Sequence, residues 1–411
     1  MIASLPGYTE AAALIADRAA HFAQRSPRSE LVALSSALAR VLARPICADR
    51  DMPAFPRSTR DGFACRAEEA SSHGFLAIAG SIRAGDPPAG PLPHGAAWEI
   101  MTGAAVPAGA DAVVMLEHVE HGLDRIRLAA GRSIESGDNI VPTGAEARAG
   151  DELIAAGARM SPAHIAAAAA CGYANLRLFA RPRVAILTTG DELVSVDSTP
   201  GPGQVRNSNA AMLAALVTQA GGEPWILPTT RDEAEQLDSA LRQALDADLL
   251  LISGGVSAGK FDLVEPALAR LAAHFHFTGV RIQPGKPLVY CEVERQDAPV
   301  QPVFGLPGNP ISSAATFLLF ASAILAALAG NREKPPGFDA AVLARDVNGK
   351  SDLTRFVPAA TSFADGRMQV TPVGSQGSGD LAAFARADCF LMVPEGVERL
   401  PAGSAARILR F

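Results

Sequence analysis

The sequence predicts a multidomain α/β plus β protein built around a doubly wound α/β domain. Between residues 181 and 331, near-continuous apolar runs alternate with amphipathic helical runs, as in a parallel sheet covered on both faces. The flanking regions carry short apolar runs separated by Gly, Pro and Asp, a pattern typical of β-rich domains. A chain of 411 residues also exceeds one ordinary core, which favours roughly two to four domains.

The N-terminal part is predicted to hold two domains, one inserted into the other. Apolar residues recur at helical spacing in residues 8–22 and again in 31–43, so both segments are predicted helices. From residue 51 to about 138 the sequence pattern changes to short strands and turns, and a capped helix is predicted to begin at Ser161-Pro162. We therefore predict a discontinuous helical or mixed N-terminal domain, residues 1–50 and 139–180, around an inserted β-rich domain, residues 51–138.

The α/β domain is predicted to cover residues 181–331. A strand, a helix, a strand, a helix and a third strand are predicted for the runs RVAILTT, NAAMLAALVTQAGG, PWILPTT, DEAEQLDSALRQAL and DLLLISGG. The uncharged run from Ile311 to Gly330 is long enough to cross a bilayer, but its Ala and Ser content and its start after Pro310 favour a buried helix. Short apolar runs then predict a C-terminal β-barrel-like domain, residues 332–411.

Composition excludes several classes of partner and site. With 43 acidic and 36 basic residues, the net charge of −7 argues against a nucleic-acid-binding surface. The five cysteines are scattered and never form C-x-x-C, which predicts reduced thiols in a cytoplasmic protein and neither a disulfide scaffold nor a zinc site. Charged residues precede any long apolar run at the N-terminus, which is a poor secretory signal. We expect no membrane and no nucleic acid among the partners.

One glycine-rich loop, in the run DLLLISGGVSAGKFD at 248–262, is similar to a P-loop. The P-loop pattern requires Ser or Thr after its Lys to bind Mg²⁺, and this chain has Phe261 there. A Walker-type ATPase is therefore disfavoured. The loop alone leaves two readings equally open, an anion-binding loop and a ligand-free turn between a strand and a helix.

Five loops are expected to meet at one edge of the sheet, because the carboxyl ends of parallel strands form a shared crevice. Glycine turns and helix N-termini there can bind anions, and Lys286 adds a cation. Glu192, Asp232 and Asp262 offer the hard oxygen ligands that Mg²⁺ prefers, although Asp232 fits the cap of a helix equally well. The five runs are TTGDEL (188–193), TTRDE (229–233), SGGVSAGKFD (253–262), QPGKP (283–287) and GLPGNP (305–310).

Taken together, several motifs resemble the molybdopterin molybdenumtransferase family, which is related to the C-terminal domain of gephyrin. They occur in the order of the family and span nearly the whole chain. Each motif is weak alone; Asp61-Gly62 and Thr102-Gly103, for example, also fit simple turns. The motifs are STRDGFA, IMTGAAVPAGADAVV, TTGDELV, SGGVSAGKFD, PGKP, GLPGNP and GSQGSGDLAAFARADCFLMVPEG.

The resemblance implies a homodimer of four-domain subunits that binds adenylylated molybdopterin and molybdate, inserts the metal and releases AMP in a Mg²⁺-dependent reaction. It implies that Asp61 and Thr102 approach the cleft from the other subunit. The implied catalytic residues are Asp61, Thr102, Glu192, Asp232 and Asp262, with Glu192 and Asp262 as metal ligands. The implied cofactor-binding residues are Thr189, Gly190, Ser253, Gly254, Gly255, Ser257, Gly259, Pro284, Gly285, Lys286, Pro307, Gly308 and Asn309.

Departures from the family pattern keep two other functions open. Many bacterial members have lysines where this chain has Gly279 and Gln283, and an arginine at Pro358; Arg281 could replace one of these cations. A non-catalytic carrier of molybdopterin or of the finished cofactor, serving a recipient molybdoenzyme, is the second hypothesis. A molybdopterin adenylyltransferase, suggested by the α/β domain alone, is the third. An adenylyltransferase and a recipient molybdoenzyme are the expected protein partners.

Overall fold

The computed structural model describes residues 5–25, 27–72, 74–255, 263–296, 298–331 and 337–411. The chain divides into two compact units. Unit 1 comprises residues 1–43, 157–161 and 175–411, and unit 2 comprises residues 44–156 and 162–174.

Unit 1 begins with helix α1 (Tyr8–Ala23) and strand β1 (Ser29–Ala33). The predicted helix over 31–43 is wrong. Strand β1 pairs antiparallel with Asn175–Phe179, a short 3₁₀ turn follows at Leu34–Ser36, and Ala39 has a left-handed φ of 61°. An α-helix cannot continue through a left-handed residue, and pairing with a distant strand overrides the intrinsic helical preference of an Ala- and Leu-rich run.

Unit 2 is built mainly from short strands. The bounds are β2 (Ile46–Cys47), β3 (Arg57–Ser58), β4 (Gly62–Cys65), α2 (Ala67–Ser71), β5 (Leu76–Ile82), β6 (Ala96–Ile100), β7 (Ala112–Met115), β8 (Val119–His121), β9 (Arg125–Leu128), β10 (Ile140–Val141), β11 (Glu152–Ile154) and α3 (Pro162–Ala170). Six of these strands form a sheet with the order β7-β4-β6-β5-β9-β8, so the predicted β-rich region contains the expected strands. Residues such as Phe63, Val114 and Ile126 pack as its core, each about 1–2% exposed.

The α/β region of unit 1 follows strand β12 (Asn175–Phe179), the partner of β1. Its bounds are β13 (Arg183–Thr188), β14 (Leu193–Val194), β15 (Val205–Arg206), α4 (Ser208–Gln219), β16 (Glu223–Ile226), α5 (Ala234–Ala244), β17 (Leu249–Ser253), α6 (Val264–Arg270), β18 (His274–Thr278), β19 (Ile282–Gln283), β20 (Val289–Arg295), β21 (Ala298–Leu306), α7 (Pro310–Thr316) and, after a π-helical turn, α8 (Ser322–Leu328).

The central sheet has the order β16-β13-β17-β21-β20-β18. Its first four strands are parallel, while β20 and β18 continue it as antiparallel strands. Alternate residues of β13 enter two separate cores: Val184 and Ile186 pack with α4 and α7, and Ala185 and Leu187 pack with α5 and α6. Because successive side chains of a strand point to opposite faces, this sheet is covered on both sides. The predicted doubly wound fold is confirmed.

The uncharged run after Pro310 is a buried helix, as predicted. In the described part of the chain, the helical stretch Pro310–Leu328 is long and apolar enough to cross a membrane. However, 67% of its most apolar 18 residues are buried inside the protein. Phe317 and Phe320 are fully buried against α1 and the sheet. Burial of this helix therefore accounts for its apolar composition.

The C-terminal region of unit 1 consists mainly of strands. The bounds are β22 (Asp339–Leu343), β23 (Val347–Asn348), β24 (Thr354–Ala364), β25 (Arg367–Pro372), α9 (Leu381–Phe384), β26 (Cys389–Val393), β27 (Arg399–Leu400) and β28 (Ala405–Arg410). The region closes into a barrel-like sheet in which β24-β25-β22-β28-β26 pair in order and β26 pairs back onto β24. This ring agrees with the predicted C-terminal β-domain.

All five cysteines are free, and all except Cys47 are buried. Burial raises the pKa of Cys65, Cys291 and Cys389 to about 12 in each case. Since only the thiolate is a strong nucleophile, these three residues act as small core side chains.

A buried carboxylate fastens α1 to the sheet. Arg18 on α1 donates two hydrogen bonds of 2.8 Å to Glu292 on β20, and the Tyr290 hydroxyl donates a third at 2.6 Å. Burial alone would raise the pKa of Glu292, but the hydrogen bonds from Arg18 and Tyr290 bring it below its usual value. The carboxylate is thus ionised at neutral pH in a site where an unpaired charge is costly.

We expect Arg18→Met to lower the free energy of unfolding of unit 1 by about 2–3 kcal/mol, because it leaves the Glu292 charge buried with one fewer partner. Trp225 fluorescence in a Trp98→Phe background would follow unit 1 during urea unfolding. Arg270→Met, which breaks the exposed pair with Asp238, is the control and should cost at most about 1 kcal/mol.

The difference between wild type and Arg18→Met should depend on pH. Because the folded pKa of Glu292 is lowered, its ion pair contributes fully above the unfolded value of roughly 4.3 and is lost as pH falls through the lower folded pKa. We therefore expect a constant difference from about pH 5 to 8 that shrinks below about pH 4. An equal difference at all pH values would show that packing, not charge, accounts for the Arg18 contribution.

Candidate functional site

Four parallel strands of the α/β region end at one edge, where they build a cavity of about 830 Å³ that we call the strand-edge cavity. The register aligns Thr188 of β13 with Ser253 of β17, and Ser253 with Leu306 of β21. The loops that follow these strands therefore meet, as the sequence predicts. Of the predicted site residues, Thr189, Gly190, Glu192, Asp232, Ser253, Gly254, Gly255, Pro307, Gly308 and Asn309 line this cavity.

Gly254 is required by a close approach of two loops. Its φ is +102°, and a Cβ there would lie 2.4 Å from the carbonyl oxygen of Thr189. Its amide donates to the carbonyl of Leu306 at 3.2 Å, which joins the loops after β17 and β21. A side chain at this position would separate the loops that line the cavity floor.

We expect Gly254→Ala to lower the free energy of unfolding of unit 1 by about 3 kcal/mol, from both the left-handed φ and the backbone contact. Gly308→Ala is the matched control, since its Cβ would meet only the Cα of Gly254 at 3.7 Å. That control should stay within about 1 kcal/mol of wild type in urea unfolding. Equal losses in the two variants would contradict the steric account.

Two of the predicted acids, Glu192 and Asp232, line the strand-edge cavity. The Thr189 hydroxyl donates to Asp232 Oδ1 at 2.6 Å, and the Asp232 amide donates to Asp191 Oδ1 at 3.4 Å. Glu192 folds back over Gly190, where a Cβ would lie 2.7 Å from Glu192 Oε2. The alternative reading of Asp232 as a helix cap is wrong: Glu233 occupies the cap of α5, and no side-chain hydrogen bond caps that helix.

The predicted metal ligands are only partly described by the structure. Ser257, Gly259 and Asp262 lie outside the described residues. Within the described ranges, no group of three or more His, Cys, Asp or Glu side chains is placed to hold a metal ion. Glu192 and Asp232 fit the donor set of Mg²⁺, which typically takes one or two carboxylates and completes its shell with water and phosphate oxygens.

A second cavity of about 500 Å³, the barrel-side cavity, adjoins the first, because Pro287, Pro307 and Asn309 line both. The predicted residues Pro284, Gly285 and Lys286 line this cavity. Their expected place at the edge of the central sheet is wrong, because the strand before them, β19, pairs with β24 of the C-terminal region and not with the parallel strands. From the C-terminal barrel, Arg355 and Ser378 also reach this cavity. Asn309 Nδ2 donates to Ser378 Oγ at 2.9 Å where the two cavities adjoin.

The cations of the barrel-side cavity are Lys286 and Arg355, among the residues the structure describes there. Arg281, which the sequence suggested as a replacement for absent lysines, is directed elsewhere: its Nη2 lies 3.3 Å from Glu395 Oε1, and it does not line the cavity. Arg355 donates to the carbonyl of Asn348, and its Nε is buried without a partner in the described chain.

Asp61 and Thr102, far apart in sequence, meet in unit 2. The backbone amide and the hydroxyl of Thr102 both donate to Asp61 Oδ1, at 2.7 and 2.8 Å. These two hydrogen bonds hold the pKa of Asp61 below its usual value, and the bond from the backbone amide has the larger effect. An exposed, firmly ionised carboxylate results, which is compatible with either a structural turn or a functional group.

Three residues that sequence reasoning missed line the strand-edge cavity at the start of α4: Arg206, Asn207 and Asn209. Asn207 caps α4 by accepting from the amide of Ala210 at 3.1 Å. The signal for them was the N-S-N run directly before an apolar helical segment, which marks a helix N-terminus and so points to the anion-binding end of a helix.

Comparisons with known proteins give matches along most of the chain. Three family models match the chain. They are the MoeA N-terminal region (domain I and II) over residues 7–172, a probable molybdopterin binding domain over 185–327, and the MoeA C-terminal region (domain IV) over 340–411.

Full-length relatives and solved structures agree with these matches. A molybdopterin molybdenumtransferase from Bacillus subtilis is 36% identical over 403 residues, covering 95% of this chain and 92% of the relative. A protein of the same name from a Nostoc species is 32% identical over 391 residues, covering 93% and 89%. The crystal structure of a molybdopterin biosynthesis moeA protein from Pyrococcus horikoshii superposes with a TM-score of 0.83 at 28% identity, covering 99% of this chain and 100% of the other.

Proposed function

The chain belongs to the molybdopterin molybdenumtransferase family, and from this premise we propose that it inserts molybdate into adenylylated molybdopterin and releases AMP. The observation that carries the proposal is the pair of adjoining cavities in unit 1. One presents glycine turns, a helix N-terminus and carboxylates, and the other presents two cations. A ligand with a nucleotide end and a metal-accepting end requires two such adjoining regions.

The strand-edge cavity is proposed to hold the nucleotide and its phosphates. At about 830 Å³ it lies in the size range of pockets for small molecules and cofactors. Apart from the Gly254 amide, which donates to Leu306, backbone N–H groups of the turns at Gly254 and Gly308 and of the N-terminus of α4 can donate to phosphate oxygens. Thr189 keeps Asp232 oriented through its 2.6 Å hydrogen bond.

We propose that Glu192 and Asp232, together with Asp262 from the sequence pattern, hold Mg²⁺ beside the phosphates. When bound, Mg²⁺ would neutralise phosphate charge that the carboxylates alone would repel. Two contacts define where these carboxylates lie: Glu192 lies over Gly190, and Asp232 accepts a hydrogen bond from Thr189.

The barrel-side cavity is proposed to hold molybdate. Lys286 and Arg355 provide positive charge from two different regions of unit 1, and the hydroxyl of Ser378 adds a polar contact. Charge-assisted hydrogen bonds from Lys and Arg to oxyanions are about twice as strong as neutral ones. Asn309 lines both cavities, which supports a position for this oxyanion next to the end of the pterin nucleotide.

The insertion assay tests the proposal directly. Purified protein would receive adenylylated molybdopterin, Mg²⁺ and molybdate, with AMP release and molybdenum incorporation measured in parallel. We expect AMP release that depends on molybdate. Pterin binding by well-folded protein without AMP release would favour the carrier hypothesis, which the residues Gly279 and Gln283 motivate. Consumption of ATP with unmodified molybdopterin would favour the adenylyltransferase.

We also propose that the active protein is a cytoplasmic homodimer of four-domain subunits. The proposed domains are residues 1–50 with 139–180, 51–138, 181–331 and 332–411. In this arrangement Asp61 and Thr102 of one subunit serve the cavities of the other. The proposal also includes an adenylyltransferase that delivers the substrate and a molybdoenzyme that receives the product.

Mixing two inactive variants tests the shared site. Asp61→Asn removes a charge in unit 2, and Lys286→Ala removes one in unit 1. If each site combines both subunits, a heterodimer keeps one intact site, so an equal mixture should recover about a quarter of wild-type turnover. Sites confined to single subunits would each carry one defect, and the mixture would then stay as inactive as either variant alone.

A further inference from the structure

Two asparagines at the start of α4 connect the ends of neighbouring strands. Asn207 Nδ2 donates to the hydroxyls of Thr188 and Thr229, at 2.7 and 3.0 Å. Thr188 ends β13, and Thr229 follows β16. Since the Oδ1 atom of the same side chain caps α4, one residue joins a helix start to two strand ends.

Asn209 makes the corresponding connection for the other two parallel strands. Its Nδ2 donates to Ser253 Oγ at 2.8 Å and to the carbonyl oxygen of Gly308 at 2.7 Å. Ser253 ends β17, and Gly308 lies in the turn between β21 and α7. Because a carbonyl oxygen can only accept, the amide nitrogen must face Gly308, which fixes the orientation of the side chain.

The remaining polar atom of Asn209 supports a positioning role. Its Oδ1 is buried and has no hydrogen-bond partner within the described residues. A buried, unpaired acceptor is costly, so the two donated bonds determine where this amide lies. The amide joins the turn at Ser253–Gly255 to the turn at Pro307–Asn309, and both turns line the strand-edge cavity.

We propose that Asn209 is a positioning residue that sets the separation of these two turns and thereby the spacing of the backbone donors that meet the nucleotide phosphates. The activity part of this inference rests on the proposed function. The spacing part does not, because it concerns loops that are in place without ligand.

The chemistry of the partners distinguishes the two asparagines. In Asn207→Asp, the new carboxylate can still accept from the hydroxyls of Thr188 and Thr229, which can turn and donate, and it can still cap α4. In Asn209→Asp, a carboxylate oxygen replaces the amide nitrogen that faces the Gly308 carbonyl oxygen, which cannot donate, so these two oxygens repel each other. Asn209→Asp should therefore separate the turns, whereas Asn207→Asp, which keeps its partners Thr188 and Thr229, should have a much smaller effect.

Hydrogen exchange without ligand reports whether the hydrogen bond that joins the two turns stays closed. In Asn209→Asp, the amide of Gly254, which donates to Leu306, should exchange about 10-fold faster than in wild type. Calorimetry with AMP should show about 10- to 100-fold weaker binding, and in the insertion assay KM should rise more than kcat falls. Gln219→Ala, an exposed residue at the far end of α4, should match wild type in all three.

Should Asn209→Asp fail to fold, Asn209→Ser provides the same test without a buried charge. Exchange and AMP affinity equal to those of Gln219→Ala would overturn the inference. If wild-type protein binds AMP but never inserts molybdate, the proposed function is rejected. The positioning role of Asn209 would then be decided by the exchange rates and the AMP affinities. If wild type does not bind AMP, the exchange rates alone decide it.

Discussion

Replacing Lys286 with alanine is expected to lower kcat/KM for molybdate insertion about 100-fold or more. Lys286 and Arg355 are the cations of the barrel-side cavity among the residues described there. Removing one preorganised donor to a developing or bound oxyanion typically costs about 100- to 1000-fold. The loss should appear mainly as a weaker dependence on molybdate, with AMP binding in the strand-edge cavity changed less than about threefold.

Lys350→Ala is the matched control for Lys286→Ala. Lys350 is an exposed lysine of the barrel that lines neither cavity. Its loss should leave both the molybdate dependence and the AMP affinity as in wild type. If Lys286→Ala and Lys350→Ala behaved alike, net charge rather than a specific oxyanion contact would account for the result.

Replacing Glu192 with glutamine is expected to lower turnover about 100-fold at limiting Mg²⁺ and to raise the Mg²⁺ concentration required for half-maximal activity. The substitution keeps the shape of the side chain but removes a charged oxygen ligand beside Gly190 and Asp232. Mg²⁺ typically relies on only one or two protein carboxylates, so each one matters. Calorimetric titration with Mg²⁺ in the presence of AMP gives a second readout that does not depend on turnover.

Glu233→Gln serves as the control for Glu192→Gln. Glu233 is adjacent to Asp232 in sequence, but it does not line the strand-edge cavity, and its carboxylate accepts a hydrogen bond from Gln236. Its replacement should not change the Mg²⁺ requirement. An unchanged Mg²⁺ requirement in Glu192→Gln as well would remove Glu192 from the proposed metal site.

The sequence predicted the structure best where a local pattern of apolar residues determines how strands and helices are arranged. Buried strands alternating with amphipathic helices required a parallel sheet, and a parallel sheet gathers the loops after its strands. Thr189, Ser253 and Pro307, widely separated in sequence, therefore line one cavity as expected. Burial of the uncharged helix after Pro310 could be predicted for a similar reason, from its composition and boundaries.

Features that depend on pairing with distant residues could not be predicted from the sequence. The apolar spacing in 31–43 suits a helix, but Ser29–Ala33 gains a strand partner in Asn175–Phe179, with paired residues 142 to 150 positions apart, and this pairing decides its structure. Arg355 could not be assigned to the cavity because its position depends on the closure of the barrel. Asn209 was missed because an asparagine near a helix start is usually a cap.

A crystal structure of the protein with AMP, Mg²⁺ and molybdate is the most direct test of the central claim. The claim is that the strand-edge cavity holds the nucleotide and the adjoining barrel-side cavity holds molybdate. The account predicts AMP phosphate against the turns at Gly254 and Gly308, and molybdate within contact of Lys286 and Arg355. Both ligands bound at well-ordered positions elsewhere, with the two cavities filled only by water, would contradict it.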